Sequence, residues 1–426
     1  MNILMMTNTY KPMMGGLEKS VESFSKEFRK KGHRVVIVTP EFEGSVEEED
    51  VIRIPAIQHF NGSDFSIQLP IPGVLDEKLG DFRADIVHSH HPYLVGDTAL
   101  RVASKVNAPL VFTHHTLYEQ NSHYLGEGEA VKRFVVELSM GYANLADHIF
   151  APSESVAEML KERDIRTPIT VVPTGIDVGF FKEGDGLSVR NDLGIPAEAY
   201  VVGYAGRLAL EKNLEFLAQA VAIFMIKQTD AHFLVVGEGP SKEAVEAVFQ
   251  KEGVYSRLHF AGRLGGKKLV NAYHAMDVFA FASQSETQGL VLAEAMAAGV
   301  PVVAQDAPGV REMIKDGING TMIFSEGLGD FALALEEMAG QNRKKLKKIH
   351  ESCLETVQDF TIKKSVALAL EVYAGLRSDN FARRNGEEDN RWLETVRVVK
   401  AQWALTKNLV KATGAMMTET LSVKAS

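Results

Sequence analysis

Short apolar segments that alternate with helical stretches constrain the fold of this chain more than any other feature. Each segment is rich in Val, Ile or Phe, and the first series covers residues 2–7, 34–39, 85–90, 109–113, 147–151 and 169–172. A second series begins at residue 200 and covers residues 200–206, 231–237, 258–261, 277–282, 301–304 and 321–324. Strands that alternate with helices form parallel sheets with helical crossovers. The chain is therefore predicted to be an α/β protein with two doubly wound domains that face each other across a cleft.

A turn-rich segment at residues 173–177 separates the two series. It predicts an N-terminal domain over residues 1–180 and a C-terminal domain over residues 181–376, the latter ending in a helix over residues 361–376. Residues 377–426 are predicted to form a helical extension.

The extension carries apolar residues on one predicted helical face, with basic residues around it: Trp392, Val396, Val399, Trp403 and Val410. This pattern is typical of a helix that packs on a domain, and also of a basic amphipathic helix at a membrane surface. Because the extension also contains acidic residues, packing is the favoured interpretation.

Composition excludes several classes of protein. The chain has 426 residues, a net charge of −10 and one cysteine, Cys353. A single cysteine excludes an internal disulfide and a cysteine-based zinc site, and it indicates a reducing, cytoplasmic environment. The negative charge disfavours a nucleic-acid partner. Residues 1–7 predict a buried strand rather than a signal peptide, and no segment is apolar over the length that a bilayer requires.

The segment from Ser285 to Gly299 predicts the functional site. Glu286 follows an apolar strand, and Glu294 lies eight positions later in a helical run, about one or two turns in. In an open α/β sheet, ligands bind at the carboxyl ends of the strands. Glu294 interrupts an apolar helix, and a partly buried carboxylate needs a partner. The two carboxylates are therefore predicted to bind the hydroxyl groups of a sugar.

The backbone amides of Gly289, Leu290 and Val291 are predicted to open that helix. The N-terminus of a helix favours a phosphate because its amides are free and its dipole is positive there. Arg207 ends the strand that begins the second domain, and Lys212 follows five residues later. Two cations at the mouth of a strand suit a diphosphate, although a solvated surface pair is an equal alternative for them when taken alone.

Two glycine-rich runs of the second domain resemble nucleotide motifs incompletely. The run from Gly237 has Lys242 where a dinucleotide fingerprint needs its third glycine, which disfavours a nicotinamide cofactor. The run that contains Gly262 and Arg263 departs from the phosphate-binding loop of nucleotide hydrolases. Its backbone is instead predicted to hold a nucleobase.

The first domain contributes a loop with paired glycines, Gly15 and Gly16, and a group of histidines at strand ends. The glycines permit close approach of the backbone, and Gly16 is predicted to bind the donor at the phosphate site, but a simple tight loop has the same pattern. His115 is predicted to contact a bound sugar, whereas His88 is predicted to be a core residue bonded to a backbone carbonyl. A metal site formed by these histidines is disfavoured because no acidic ligands accompany them.

Taken together and in this order, these motifs resemble the retaining glycosyltransferases of family 4, which have the GT-B fold. The resemblance covers roughly residues 1–376 and includes the glycine loop, His115, Arg207, Lys212 and the Glu286–Glu294 pair. It implies that Arg207 and Lys212 bind the diphosphate of a nucleotide sugar. It also implies that Glu286 contacts the donor sugar, Glu294 the ribose, and that His115 lies near the reacting carbon. No metal or other cofactor is implied.

The acceptor is predicted less directly. Residues 114–124 are similar to the acceptor region of bacterial diacylglycerol glucosyltransferases, which act at membrane surfaces. A helix with Lys26, Arg29, Lys30 and Lys31 is predicted either to lie on anionic lipid or to be an ordinary amphipathic surface helix. The leading hypothesis is thus a transferase that moves glucose or a similar hexose, with UDP as the expected nucleotide, to a lipid or sugar.

Two alternatives remain. One is a synthase or phosphorylase with a soluble acceptor, although the sequence offers no motif for a pyridoxal-phosphate lysine. The other is a module that binds nucleotide sugars without catalysis. The joint presence of five candidate site residues disfavours it: His115, Arg207, Lys212, Glu286 and Glu294. The expected location is cytoplasmic, with peripheral association at the inner face of the cytoplasmic membrane if the acceptor is a lipid.

Overall fold

A computed structural model describes residues 1–13, 15–57, 67–68, 73–118, 128–384 and 391–423. The chain divides into two compact units. Unit 1 comprises Met1–Pro173 together with Ile362–Ser426, and unit 2 comprises Thr174–Thr361. The first change of unit falls inside the predicted turn-rich segment.

Unit 1 is built on a seven-stranded parallel sheet with the strand order β3-β2-β1-β6-β7-β8-β9. Its strands are β1 (Asn2–Met6), β2 (Arg34–Pro40), β3 (Val51–Ile54), β6 (Ile86–Ser89), β7 (Leu110–Thr113), β8 (His148–Ala151) and β9 (Ile169–Val171). A separate antiparallel pair consists of β4 (Ala56–Ile57) and β5 (Ile67–Gln68). The helices are α1 (Gly16–Lys30), α2 (Val74–Leu79), α3 (Val95–Val106), α4 (Glu129–Ala143), α5 (Glu154–Glu162), α14 (Ile362–Arg384) and α15 (Arg391–Val423).

Unit 2 has a six-stranded parallel sheet with the order β12-β11-β10-β13-β14-β15. Its strands are β10 (Tyr200–Ala205), β11 (Ala231–Val236), β12 (Leu258–Gly262), β13 (Val278–Phe281), β14 (Val302–Gln305) and β15 (Gly320–Ile323). The helices are α6 (Val178–Phe181), α7 (Gly186–Asp192), α8 (Leu214–Lys227), α9 (Lys242–Lys251), α10 (Gly266–His274), α11 (Leu290–Ala297), α12 (Leu328–Ala339) and α13 (Arg343–Thr356).

The two faces of the unit 1 sheet bury separate cores. Along β1, Leu4 and Met6 join the core that α3, α4 and α15 cover, whereas Ile3 and Met5 join the core that α1 and α14 cover. Side chains of a strand alternate between its faces, so a strand covered on both sides must be apolar throughout. This explains why the strands are continuous apolar runs rather than alternating ones.

All twelve predicted strands are present, and the prediction of two doubly wound parallel domains is confirmed. The edge strand β3 was not predicted. It contains Arg53 and follows four acidic residues at positions 47–50, so its composition resembles that of a surface loop.

The helix predicted over residues 361–376 extends further, to Arg384, and it belongs to unit 1 rather than to the C-terminal domain. The reason is its apolar face: Val366, Ala369 and Tyr373 are buried in the core formed with α1. The predicted divisions at residues 180 and 376 therefore differ from the divisions at 173 and 361. An apolar helical stripe indicates that a partner exists, but it does not identify the partner.

The predicted C-terminal extension is helical, and α15 packs against α3 and α4 of unit 1. The packed face differs from the predicted one, because it is formed by Ala401, Leu405, Asn408 and Ala412. The side chains of Val399, Trp403 and Val410 are exposed instead. Small residues such as Ala401 and Ala412 let the helix axes approach closely, which the larger residues prevent. Over the described residues, no helix combines the length and the apolar character that crossing a bilayer requires.

Tyr373 tests the assignment of α14 to unit 1. Its hydroxyl lies 2.6 Å from His88 Nδ1, and its ring stacks on Phe150. We expect Tyr373→Phe to cost about 1–3 kcal/mol because it leaves a buried nitrogen without its partner. Tyr373→Ala should cost about 3–5 kcal/mol because it also opens a cavity.

Urea unfolding measures both effects. Leu368→Ala, on an exposed part of the same helix, is the matched control and should change stability by less than about 0.5 kcal/mol. Equal effects of Tyr373→Ala and Leu368→Ala would show that α14 does not contribute to the core of unit 1.

Candidate functional site

The sheet of unit 2 places its switch point between β10 and β13. The chain leaves β10 for β11 on one side, and it reaches β13 on the other side only after β12. At such a point the loops after the two central strands separate and leave a crevice, which is where open α/β sheets bind ligands. These two loops carry Arg207, Lys212 and Glu286.

Each cation of the loop after β10 is paired with a carboxylate. Arg207 contacts Glu211, and Lys212 contacts Glu286 of the loop after β13. The side chains of Lys212 and Glu286 are only 21% and 17% exposed, whereas that of Arg207 is 57% exposed. Low exposure strengthens an ion pair because less water screens it. The pair between Lys212 and Glu286 is therefore the stronger link, and it joins the two loops.

Hydrogen bonds join the same two loops at backbone level. The hydroxyls of Ser283 and Ser285 donate to the carbonyl oxygen of Glu211 at 3.3 and 3.2 Å. The side-chain amide of Asn213 donates to the carbonyl oxygen of Ala282 at 3.4 Å. Because of these contacts, the position of Glu286 relative to Lys212 does not depend on the ion pair alone.

The helix that carries Glu294 begins as predicted. Gly289 caps α11 with φ 70° and ψ 48°, and Leu290 and Val291 form its first turn. A left-handed conformation at the cap favours glycine. The amides of the first turn have no partners within the helix, so they remain donors for an anion at this end.

Glu294 is buried, with 4% of its surface exposed, and its Oε2 accepts a hydrogen bond of 2.8 Å from the Tyr273 hydroxyl. Burial raises the pKa of Tyr273 well above its usual range, and the charge of Glu294 raises it further. Tyr273 therefore stays protonated and remains a donor. This hydrogen bond explains how the carboxylate of Glu294 is tolerated within an apolar helix. Tyr273 was not among the predicted site residues.

Gln288 is a second residue that the sequence did not single out. Its side-chain amide donates to the carbonyl oxygen of Thr174 and accepts from the amide of Thr174, both at 2.5 Å. The bond ties the loop before α11 to the start of unit 2. The only signal in the sequence was a polar residue between Glu286 and Gly289, which is too general to predict a partner 114 positions away.

The glycines of the incomplete dinucleotide fingerprint have a packing role. A Cβ atom on Gly237 would lie 1.9 Å from the carbonyl oxygen of Gly206, and one on Gly239 would lie 2.3 Å from that of Leu208. Both glycines also have positive φ, 141° and 149°. The loop after β11 thus packs directly on the backbone of the loop that carries Arg207.

Gly262 and Arg263 lie at the end of β12, next to this cluster. The amide of Gly237 donates to the carbonyl oxygen of Gly262 at 2.9 Å, and Gly262 has φ 67°. The side chain of Arg263 is exposed. The loops after β10, β11 and β12 therefore form one connected layer at the carboxyl edge of the sheet.

In unit 1, His90 and His115 lie next to each other at the carboxyl ends of β6 and β7. Nδ1 of His90 lies 2.8 Å from Nε2 of His115, and the two rings are stacked with centroids 5.1 Å apart. Burial lowers the pKa of both residues well below the usual range, and the neighbouring imidazoles lower it further. Both rings are therefore neutral at physiological pH, and the N–H of one ring donates a hydrogen bond to the bare nitrogen of the other.

His88 is buried as predicted, but its partners are side chains rather than a backbone carbonyl. Nε2 lies 2.6 Å from Thr113 Oγ1, and Nδ1 lies 2.6 Å from the Tyr373 hydroxyl. Burial lowers the pKa of His88 to about 3. The hydroxyl group of Tyr373, which lies 285 positions away, could not be inferred from the spacing of the histidines.

The glycine loop of unit 1 lies between β1 and α1. Gly15 precedes the helix with an extended backbone, and Gly16 is the exposed first residue of α1. Lys11 in the same loop pairs with Glu22 and Glu48 at 2.8 and 3.1 Å. Residues 119–124, six of the eleven residues of the predicted acceptor region, lie outside the described residues. Within the described part of the chain, no three His, Cys, Asp or Glu side chains are arranged to hold a metal ion.

The cluster in unit 2 can bind an anion together with hydroxyl groups. Two cations and the first amides of α11 supply positive charge at the edge of the sheet, and two carboxylates supply acceptors. This combination matches a sugar linked to a diphosphate, in which negative charge and hydroxyl groups are adjacent.

Comparison with known proteins gives an independent assignment. The family model described as Glycosyltransferase Family 4 matches residues 14–180, and the model described as Glycosyl transferases group 1 matches residues 188–353. Between them, the two models cover most of both units, including every predicted site residue from Gly16 to Glu294.

Two relatives align with about three quarters of the chain. The alpha-monoglucosyldiacylglycerol synthase of Streptococcus pneumoniae is 28% identical over 334 residues, which are 76% of this chain and 76% of that protein. The enzyme of the same description from Acholeplasma laidlawii is 26% identical over 75% of this chain and 84% of its own length. The crystal structure of Anabaena HepE in complex with UDP aligns with a TM-score of 0.69 and 20% identity, over 88% of this chain and all of that one.

The contact between Gly237 and Gly206 can be tested by adding a methyl group. We expect Gly237→Ala to destabilise the protein by about 1–3 kcal/mol from crowding alone. Gly329→Ala is the control, because that glycine is exposed at the start of α12 with no atom within 4 Å of the new Cβ. The control should be neutral or stabilising, by up to about 1 kcal/mol. Denaturant unfolding that finds the two variants equally stable would contradict the packing described here.

Proposed function

Because the chain belongs to the family 4 glycosyltransferases, we propose that it moves glucose from UDP-glucose to a membrane lipid and retains the anomeric configuration. The observation that carries the proposal is the cluster at the carboxyl ends of β10 and β13, where Arg207 and Lys212 are each paired with a carboxylate. The relatives described as alpha-monoglucosyldiacylglycerol synthases support glucose and a diacylglycerol acceptor. The neighbour that binds UDP supports the nucleotide.

We assign the diphosphate to Arg207, Lys212 and the first amides of α11, at Leu290 and Val291. Arginine offers a planar fork and lysine a point charge, so the two can neutralise separate oxygens. Glu294 is assigned to the ribose, since its carboxylate lies one turn inside the same helix. Gly289 permits the backbone conformation that opens the helix.

The nucleobase is assigned to the loop at Gly262 and Arg263, beside the layer of backbone that contains Gly237. In unit 1, the glycine loop at Gly16 is assigned to the phosphates of the donor, and the imidazole of His115 to the transferred sugar. A neutral imidazole can accept or donate a hydrogen bond to a sugar hydroxyl without carrying charge.

The ion pairs suggest how the donor is admitted. In the structure, Glu286 pairs with Lys212 and Glu211 pairs with Arg207. A diphosphate carries more negative charge than one carboxylate, so it competes for the same cations. When the diphosphate binds Lys212, the carboxylate of Glu286 becomes available to accept hydrogen bonds from the sugar. Binding of the phosphates therefore prepares the sugar site.

In the proposed transfer, the bond between the anomeric carbon and the diphosphate oxygen breaks. The acceptor hydroxyl oxygen forms a bond to the same carbon on the same face, and its proton passes to an oxygen of the departing diphosphate. The protein stabilises the charge that develops on the diphosphate through Arg207, Lys212 and the amides of α11. No protein nucleophile of the kind that retaining glycosidases use is required.

The two cations should contribute unequally to UDP binding. A hydrogen bond to a charged group is worth about 1.5–3 kcal/mol, roughly a 10- to 150-fold change in affinity. We expect Lys212→Met to reach the upper part of this range, because Lys212 is largely buried and its loss leaves Glu286 unpaired. Arg207→Met should have the smaller effect, because its side chain is more exposed and better screened.

Calorimetric titration with UDP measures these affinities. Lys227→Met is the matched control, since this lysine pairs with Glu336 at the far end of α8 and should leave the affinity unchanged. If Lys212→Met and Arg207→Met bound UDP as tightly as the unmodified protein, the assignment of the diphosphate would be wrong.

A transfer assay tests the reaction as a whole. Incubation with UDP-glucose and diacylglycerol in mixed micelles, with EDTA present, should yield a glucosyl lipid with the α configuration of the donor. Chelation should not reduce the rate, because two cations and the helix amides neutralise the diphosphate. The anomeric coupling constant in the proton spectrum of the product reports the configuration.

Three results would change the proposal. A β-linked product would contradict retention, and loss of activity that a divalent ion restores would contradict the metal-free mechanism. Transfer to soluble sugars but not to diacylglycerol would replace the lipid acceptor, while the assignment as a glycosyltransferase would stand.

A further inference from the structure

The helix α15 has two different faces. Ala401, Leu405 and Ala412 pack against α3 and α4, and Asn408 on the same face donates to the carbonyl oxygen of Leu138 at 2.9 Å. These positions recur every three or four residues, so they lie on one side of the helix. The core of unit 1 is therefore covered without any contribution from the opposite side.

The opposite side carries an apolar stripe. Val399, Trp403 and Val410 are spaced by four and seven residues, which places them in line, and they are 61%, 61% and 66% exposed. Leu409 lies beside the stripe and is half exposed. A single exposed apolar residue is ordinary, but a row of four that includes a tryptophan is not.

A row of lysines borders the stripe on one side. Lys400, Lys407 and Lys411 follow at spacings of seven and four, and the ammonium of Lys407 lies 5.4 Å from the centre of the Trp403 ring. Lys411 pairs with Glu137 of α4 at 2.9 Å. From residue 395 to residue 416 the sequence contains four cations and no acidic residue, although the whole chain has a net charge of −10. This stretch of α15 therefore carries a net positive charge beside the exposed apolar stripe.

From this arrangement we propose that the outward face of α15 docks on a bilayer that contains anionic phospholipid. Tryptophan has an apolar ring and a polar N–H, which suits the boundary between headgroups and acyl chains. Lysines along one edge can extend to the phosphates while their methylene groups follow the apolar surface. A second copy of the chain fits this face less well, because pairing would bring two rows of cations together.

The basic helix α1, which the sequence also singled out for this role, lacks these features. Its apolar residues Val21, Phe24 and Phe28 are buried in the core, and none of its large apolar side chains is among the exposed ones. Lys30 pairs with Glu27, and Arg29 donates to the carbonyl oxygen of Val35 at 2.8 Å. Two cations of α1 are thus occupied within unit 1, but so are Arg397 and Lys411 of α15. What favours α15 as the docking helix is its exposed apolar stripe, which α1 lacks.

The inference adds a membrane contact to the proposed function and does not depend on the donor or the acceptor. Since the chain contains two tryptophans, Trp392→Phe leaves Trp403 as the single fluorophore. With phosphatidylcholine vesicles that contain phosphatidylglycerol, we expect its emission to shift to shorter wavelength and to be quenched by brominated acyl chains. Vesicles of phosphatidylcholine alone should have a much smaller effect.

Sedimentation with the same vesicles then measures separately what the lysines and the apolar stripe contribute to binding. Removing two lysines with Lys400→Gln and Lys407→Gln should lower the partition coefficient about thirtyfold, since each lysine near an anionic surface contributes about 1 kcal/mol. The charge control is Lys344→Gln with Lys348→Gln on the basic helix α13 of unit 2, where both lysines are exposed.

The apolar component is tested with Trp403→Gln and Val410→Gln, which should abolish sedimentation. Ile226→Gln with Leu333→Gln, two half-exposed residues of unit 2, is the matched control and should have no effect. UDP titration of every variant serves as the check on folding, and it should be unchanged because the predicted nucleotide site is in unit 2.

Each other outcome overturns the inference. Sedimentation without any change in Trp403 emission would place the contact on another surface. A shift in emission that depends on protein concentration and not on lipid would identify a second copy as the partner. Failure to bind anionic vesicles would reject docking, whereas failure to bind UDP would bear on the proposed function alone.

Discussion

The ion pair between Lys212 and Glu286 is the interaction on which the site in unit 2 depends most. It joins the loops after the two central strands at the switch point of the sheet, and both side chains are largely withdrawn from water. The pair holds a cation and a carboxylate next to each other at the crevice. In the proposed function, an incoming diphosphate takes the cation and leaves the carboxylate for the sugar. The arrangement therefore suits a ligand that combines negative charge with hydroxyl groups.

Much of the fold could be predicted because its strands are apolar on both faces. Short runs rich in Val, Ile or Phe between helical stretches identified twelve of the strands. The edge strand β3 escaped because its composition is that of a surface loop. The partners of α14 and α15 also escaped, since an amphipathic pattern specifies a buried face but not the surface that buries it. In α15 the larger apolar residues even indicated the wrong face, because close helix packing selects small ones.

The sequence predicted where Glu286 and Glu294 lie in the fold, but not the contacts that support them. A strand followed by a loop and a helix locates Glu286 and Glu294 from local sequence alone. The partners that make these positions stable come from elsewhere: Tyr273 for Glu294, and Thr174 for the loop before α11. In unit 1, the hydroxyl of Tyr373 satisfies His88 from a helix near the end of the chain. Long-range partners of this kind have no local signature, because many polar residues satisfy the same general pattern.

The central claim is that the carboxyl ends of β10 and β13 bind the diphosphate of a nucleotide sugar. A crystal structure of the protein with bound UDP-glucose tests it most directly. We predict density for the diphosphate within hydrogen-bond distance of Lys212, Arg207 and the first amides of α11. The Glu286 carboxylate should have separated from Lys212 and should accept from the glucose. A diphosphate bound elsewhere, or an intact Lys212–Glu286 pair beside an ordered donor, would contradict the account.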